Sequence, residues 1–246
     1  MPTSETSFTI LNTVDSTNNY AMAKVRGGLA KHGSAWFSHI QTAGKGQRGN
    51  TWQTSENVNI ALSVVFDIQI LNAAQQFQLS VIVALGCYDF FNKYGGDETS
   101  IKWPNDIYWR DRKAGGVLIE NVFHGHGWKF SVVGIGININ QLVFEDNLKN
   151  PVSLKQITGK TFDTVELAKE LHQIILKRYE QLKNEHFTPL FKEYSKHLFC
   201  INQLVKLKKD NSVFETIIKG VTEHGQLITQ DTTERFFNFG EISWVL

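Results

Sequence analysis

The stretch Lys102-Trp103-Pro104-Asn105-Asp106 is followed, seven residues after Asp106, by Lys113-Ala114-Gly115-Gly116. It is embedded in apolar segments that read as strands, over residues 100–103, 107–109, 116–123 and 128–139. The turn His124-Gly125-His126-Gly127 joins the last two as a hairpin. A run of strands like this predicts a mixed or antiparallel sheet. Two lysines, an Asn-Asp pair and a glycine pair fall within fifteen residues. Such a cluster brings cations and close-approach backbone together around an anionic, phosphate-bearing ligand. Upstream, residues 41–52, from Gln41 through Gly44-Lys45-Gly46-Gln47-Arg48-Gly49-Asn50 to Trp52, supply a second glycine-and-cation loop. Two such loops in one small chain begin to specify a site where one would not.

Outward from these loops the chain alternates between strand and helix signals. Residues 8–13 read as a strand, and Asp15-Ser16-Thr17-Asn18 offers several N-caps for a helix over 19–26 that Gly27-Gly28 ends. Residues 36–41 and 59–66 are strands, the second buried by its β-branched content. Helical spacing of Phe77, Val81, Ala84, Leu85 and Tyr88 predicts a helix over 73–94. A second long helix over 164–183 starts at Asp163 with Glu166 three residues on, and a shorter one spans 188–197. After Cys200, short alternating segments at 204–207, 213–221, 226–229, 235–239 and 242–246 predict a small β-barrel. The expected architecture is α+β: a mixed or antiparallel sheet with helices on one side in residues 1–198, and a terminal β module in 199–246.

Bulk properties narrow the function. At 246 residues the chain holds one large domain, or a main domain with a small appendage. A formal charge of +1 argues against a dedicated DNA or RNA surface, although a small phosphate ligand needs only a few local cations. No apolar run has the length of a membrane span, and residues 1–6 carry no signal-peptide pattern. Cys87 and Cys200 read as two buried thiols rather than a disulfide, so the expected location is the cytoplasm. His124 and His126, in a glycine turn without further ligands nearby, read as a hairpin tip rather than a metal site.

Taken together, the motifs resemble those of the biotin protein ligase family. Asp15-Ser16-Thr17-Asn18 matches its DSTN segment, residues 41–52 its QxxGRGRRGRxW loop, and Lys102 to Asp106 its KWPND. Residues 112–120, from Arg112-Lys113 to Glu120, match RKxxGILxE, and Gly134-Ile135-Gly136-Ile137-Asn138 matches GxGxN. The matches keep the family's order over about residues 9–140. The resemblance implies a class II synthetase-like catalytic domain with a C-terminal SH3-like barrel. It also implies an ATP-dependent ligase that makes biotinyl-5′-AMP and passes biotin to a lysine of a biotin carboxyl carrier protein. The catalytic pattern begins within about fifteen residues, so no N-terminal DNA-binding domain is expected. A monomer and a homodimer both stay open. A lipoate–protein ligase shares the implied fold, but its RRxxGGG loop is missing. A non-catalytic nucleotide-binding module is the other alternative.

Residue roles follow from the resemblance read through chemistry. Lys113 is expected to stabilise charge between the biotin carboxylate and the α-phosphate of ATP, with Lys102 assisting and Mg²⁺ bound through phosphates rather than by protein ligands. Asp106 is expected to deprotonate the carrier lysine; a turn role after Pro104 is its alternative. Ser16, Thr17, Asn18, Gln41, Lys45, Gly46, Gln47, Gly115 and Gly116 are expected to join Lys113 in holding biotin. For Ser16 to Asn18, simple helix capping competes. Arg48, Asn50, Trp52, Asn105, Gly134, Gly136 and Asn138 are expected, again with Lys113, around the adenylate. Lys45, Gln47 and Asn50 stand where the family usually has arginine. A weaker grip on the adenylate is therefore expected.

Overall fold

Strands β1 (Phe8–Val14), β2 (Ala35–Gln41), β3 (Asn59–Asp67), β4 (Thr99–Lys102), β5 (Asp106–Trp109), β6 (Arg112–His124) and β7 (Gly127–Asn138) form one sheet. Their spatial order is β1-β2-β3-β7-β6-β5-β4. The computed structural model describes residues 7–245 except 54, 69, 126, 146, 147, 149 and 185. His126 of the predicted hairpin turn thus lies outside the described residues. β1 and β2 run parallel and the other neighbours antiparallel, so the sheet is mixed.

A parallel pair needs a crossover, and α1 (Thr17–Arg26) supplies it between β1 and β2. Ala21 and Val25 of that helix pack on Trp36, Val65 and Val132. Along β3, Leu62, Val64 and Phe66 belong to a different and larger core. Because strand side chains alternate, the two cores lie on opposite faces of the sheet. The expectation of helices on one side is therefore corrected: the β1–β2 crossover places α1 on the second face.

The larger core is covered by α2 (Gln76–Gly95), α4 (Thr164–Asn184) and α5 (Phe187–Lys196), with the five-residue α3 (Leu154–Thr158) beside them. A side chain at Gly86 of α2 would collide with Ile175 of α4, so its glycine permits the close packing. Arg178 of α4 pairs with Asp89 of α2 at 2.7 Å and Glu193 of α5 at 2.6 Å, joining the three helices. The helix predicted from residue 73 begins as a 3₁₀ turn, Ala73–Gln75, capped by Asn72, before α2 proper. Asp163 does cap α4, accepting from Val165 N and Glu166 N. α3 was not expected; its capping box, Ser153 with Gln156, opens a helix too short to show a periodicity.

The second sheet holds β8 (Leu204–Lys209), β9 (Ser212–Val221), β10 (Leu227–Gln230), β11 (Glu234–Phe237) and β12 (Ser243–Trp244), in the order β11-β10-β9-β8-β12. All its pairs are antiparallel. Leu207, Ile218, Val221 and Leu227 join the same apolar cluster as the first sheet. Trp103 Nε1 donates to Gly225 O across the junction, at 2.9 Å. Cys87 is buried and Cys200 half-buried, and both thiols are free. Among the described residues no helix is long and apolar enough to cross a membrane.

Candidate active site

The face of the first sheet that carries α1 also carries a cavity. Its floor is the backbone of β6 and β7 at Gly116, Gly134 and Gly136. None of the three tolerates a side chain easily. A Cβ at Gly134 would overlap the Asn18 amide, and one at Gly136 would overlap the Trp52 ring. A Cβ at Gly116 would lie 3.1 Å from Asp106 Oδ1 and 3.3 Å from Lys113 Nζ. These glycines let polar and aromatic side chains lie flat on the sheet.

At one end, Lys113 Nζ and Asp106 Oδ2 form a 2.7 Å ion pair. Their meeting depends on a bulge. Ile107 of β5 pairs with Gly115, but Tyr108 pairs with Lys113, so Ala114 is an extra residue in β6. By strict alternation from Gly116, Lys113 would fall on the opposite face. The extra residue restores it to the face of Asp106, while Ala114 is buried in the core. The Lys113 backbone is held from the far side as well. Its N–H donates to Asn150 O at 2.8 Å and its carbonyl accepts from Val152 N at 2.9 Å.

At the other end, hydroxyl and amide groups gather. Ser16 occupies the N-cap position of α1 but makes no side-chain capping bond. Thr17 N and Thr17 Oγ1 both donate to Gln41 Oε1, at 2.8 and 3.1 Å. Asn18 Nδ2 donates to Glu120 Oε2 at 2.9 Å, and Asn18 Oδ1 accepts from Ser63 Oγ at 2.6 Å. Ser16, Thr17 and Asn18 are all buried and line the cavity. Simple capping therefore does not account for the run.

The glycine-and-cation loop forms the cavity's outer wall. Gly46 N donates to Asn50 O at 2.7 Å and Trp52 N to Gly44 O at 2.9 Å, closing it as a hairpin turn. Gly44 has no room for a side chain because Trp52 O lies there. Gln47 Nε2 donates to Asn105 Oδ1 at 2.8 Å and Val117 O at 2.7 Å. Arg48 adopts left-handed backbone (φ 57) and turns its guanidinium outward, donating from Nη2 to Gly240 O at 3.0 Å. It also lies over the Phe239 ring, 5.4 Å from its centroid. Trp52 Nε1 is shielded from solvent and has no acceptor among the described residues.

Of the residues expected from sequence, the cavity brings together Lys113, Asp106, Ser16, Thr17, Asn18 and Gln41. It adds Lys45, Gly46, Gln47, Arg48, Asn50 and Trp52 from the loop, over the glycine floor. Four others lie outside its lining. Gly115 faces the core side, where Gly136 O occupies the space of a side chain. Asn138 is buried and donates to Val152 O at 3.1 Å and toward Lys113 O at 3.4 Å. Asn105 is buried and lines a neighbouring cavity with Pro104 and Phe77. Lys102 stands directly across from Asp106 in the β4–β5 register, yet its ammonium lies 2.9 Å from Tyr108 Oη and over the Trp244 ring of β12.

The chain matches the Biotin/lipoate A/B protein ligase family over residues 10–140. The chain belongs to that family. Over 240 residues it is 30% identical to the bifunctional ligase/repressor BirA of Escherichia coli (strain K12), covering 96% of this chain and 74% of that protein. It is also 30% identical to the biotin–[acetyl-CoA-carboxylase] ligase of Paracoccus denitrificans, over 92% of this chain and 95% of that one. The solved biotin protein ligase of Aquifex aeolicus, in complex with biotin and ATP, aligns with a TM-score of 0.81 at 24% identity. That alignment covers 96% of this chain and 97% of the other, and the likeness is one of fold.

Within this family member, two polar residues at the cavity's amide end had no expected role. Ser63 is a lone hydroxyl in the apolar run of β3, and that anomaly was its only sequence signal. Glu120 closes the RKxxGILxE match, but nothing in the sequence showed that its carboxylate reaches α1.

Proposed function

We propose that this chain activates biotin with ATP as biotinyl-5′-AMP, releasing diphosphate, and transfers the biotinyl group to one lysine of a biotin carboxyl carrier protein. The observation that carries this reading is the 2.7 Å Lys113–Asp106 pair at one end of a cavity whose other end is Ser16, Thr17 and Gln41. A ureido ring offers two N–H donors and a carbonyl acceptor, which suits such hydroxyl and amide partners. The naming of the Paracoccus relative supports biotin as the acid.

In the first step a carboxylate oxygen bonds to the α-phosphorus as the bond to diphosphate breaks. Two anions meet, so positioning and positive charge do the work, with no covalent help needed from the protein. Lys113 supplies that charge. Before a phosphate arrives, Asp106 neutralises it. A bound phosphate competes for the ammonium and releases Asp106 Oδ2 to accept a proton from the carrier lysine. The amine then bonds to the acyl carbon and AMP leaves. To reach a phosphate, Lys102 would have to turn from the Tyr108 hydroxyl, so its part is secondary. Among the described residues Asp106 is the one carboxylate on the cavity's lining, and Lys113 engages it. No group of three or more metal-ligating side chains occurs among the described residues. This donor set suits a Mg²⁺ ion held through the nucleotide's phosphates, where it would neutralise charge.

Residues 1–198 would carry the chemistry and 199–246 would brace the loop through Gly240. The work would be done in the cytoplasm, by a monomer or a homodimer. The test is biotin-dependent exchange of labelled diphosphate into ATP, run beside lipoate. Exchange is expected with biotin and not lipoate, and to fall at least about a hundredfold in Lys113→Ala. Lipoate-dependent exchange would overturn the choice of acid. An unchanged Lys113→Ala rate would overturn the assignment of that residue.

A further inference from the structure

Four side chains at the cavity's amide end are linked in series: Glu120, Asn18, Ser63 and Thr17. Glu120 Oε2 lies 2.9 Å from Asn18 Nδ2, Ser63 Oγ 2.6 Å from Asn18 Oδ1, and Ser63 Oγ 2.8 Å from Thr17 Oγ1. Ser63 is wholly buried and Asn18 and Thr17 nearly so, so no water substitutes freely for a missing partner.

Counting protons orients the series. An ionised carboxylate only accepts, so the Asn18 amide must turn its nitrogen to Glu120 and its oxygen to Ser63. The single Ser63 proton is then committed to Asn18 Oδ1. The single Thr17 hydroxyl proton has two partners, Ser63 Oγ and Gln41 Oε1, and both are protein atoms. In either case Thr17 presents the cavity with a lone pair and no proton. Gly134 makes the arrangement possible, because a side chain there would occupy the place of the Asn18 amide.

We propose that Glu120, itself outside the cavity's lining, is the positioning residue that sets the donor–acceptor polarity of this end, so that Thr17 selects a ring carrying N–H groups. The inference rests on the biotin reading above and deepens it. With a neutral amide in place of Glu120, the Asn18 nitrogen keeps only its long 3.5 Å bond to Leu118 O, and the Asn18 amide can turn over. Its nitrogen would then donate to Ser63 and the Ser63 hydroxyl would rotate to donate to Thr17, leaving Gln41 Oε1 as the one remaining acceptor that keeps the Thr17 proton from the cavity.

The experiment measures dissociation constants without ATP for biotin and for its two cyclic carbamate analogues, each with one ring N–H replaced by oxygen. The wild type is expected to prefer biotin strongly over at least one analogue, since an unmatched buried acceptor is costly. Glu120→Gln should lower that preference about tenfold, the worth of one hydrogen bond. Ser63→Ala cuts the same series at another point and should lower it similarly. In an Asn18→Ala background, Glu120→Gln should change nothing further. A preference unchanged in both Glu120→Gln and Ser63→Ala would overturn the proposal while leaving the biotin reading intact. So would an equal Glu120→Gln effect with and without Asn18. A wild type that binds no biotin would instead remove the reading on which the proposal rests.

Discussion

Asp106 and Lys113 hold each other, and this sets how each half of the reaction should respond to substitution. On the proposed reading Lys113 carries charge for the first step, so its loss should be felt in adenylate formation. With Asp106 proposed to act on the acceptor amine, Asp106→Asn should leave diphosphate exchange within about tenfold while slowing transfer from preformed biotinyl-AMP by about a hundredfold or more. Single-turnover transfer to the carrier, measured beside exchange, separates the two. Equal losses in both would mean that Asp106 acts through its hold on Lys113, and no loss in either that it serves only to turn the chain after Pro104. At this scale the sequence was a partial guide. It named both residues through their spacing, but their meeting hangs on the extra residue Ala114 in β6, and no local pattern announces a bulge. Asn138 and Gly115 were expected at the ligand because they belong to the same motifs. Gly115 instead faces the core side, and the Asn138 amide is engaged by Val152 O.

The glycine-and-cation loop is an element whose grip on phosphate follows from where its side chains go. Arginine is scarce in it, and two of its polar side chains already have partners: Gln47 on Asn105 and Val117, Arg48 on Gly240. Lys45 remains on the cavity's lining. Few fixed guanidinium forks therefore meet an adenylate here, and exposed single charges contribute little each. Biotinyl-AMP should dissociate faster than from arginine-rich relatives, by about tenfold for one lost charge-assisted hydrogen bond. Gln47→Arg should slow the release. A chase of labelled biotinyl-AMP checks both, and release no faster than in such a relative would refute the first. The loop's sequence showed its glycines and its arginine deficit. It did not show that Arg48 turns away, because that partner, Gly240, is 192 residues distant. The helices were legible from periodicity, except α3, which is too short to have any, and α1, whose length was clear but whose face of the sheet was not.

For the molecule as a whole, three histidines tie stability to pH. His172 of α4 is buried, with Nε2 2.9 Å from Gly33 O, and burial holds its pKa below the ordinary histidine value of 6.5. His32 packs between Phe66 and Tyr179 and is lowered by burial too, as is His197, stacked 4.0 Å from Tyr88. Each joins distant parts of the chain, so protonation opposes the packed state and not merely a local contact. With folded pKa values below unfolded ones, the unfolded chain binds more protons as pH falls through about 6.5. Stability should thus be fully present above that value, decline toward the lower folded pKa values, and level off beneath them. The urea midpoint should be lower at pH 5.5 than at pH 7.5. His172→Gln keeps a donor for Gly33 O but cannot take a proton in this range, so it should flatten the decline. A midpoint that rises on acidification, or a slope that His172→Gln leaves untouched, would show that the loss of proton binding on folding lies elsewhere.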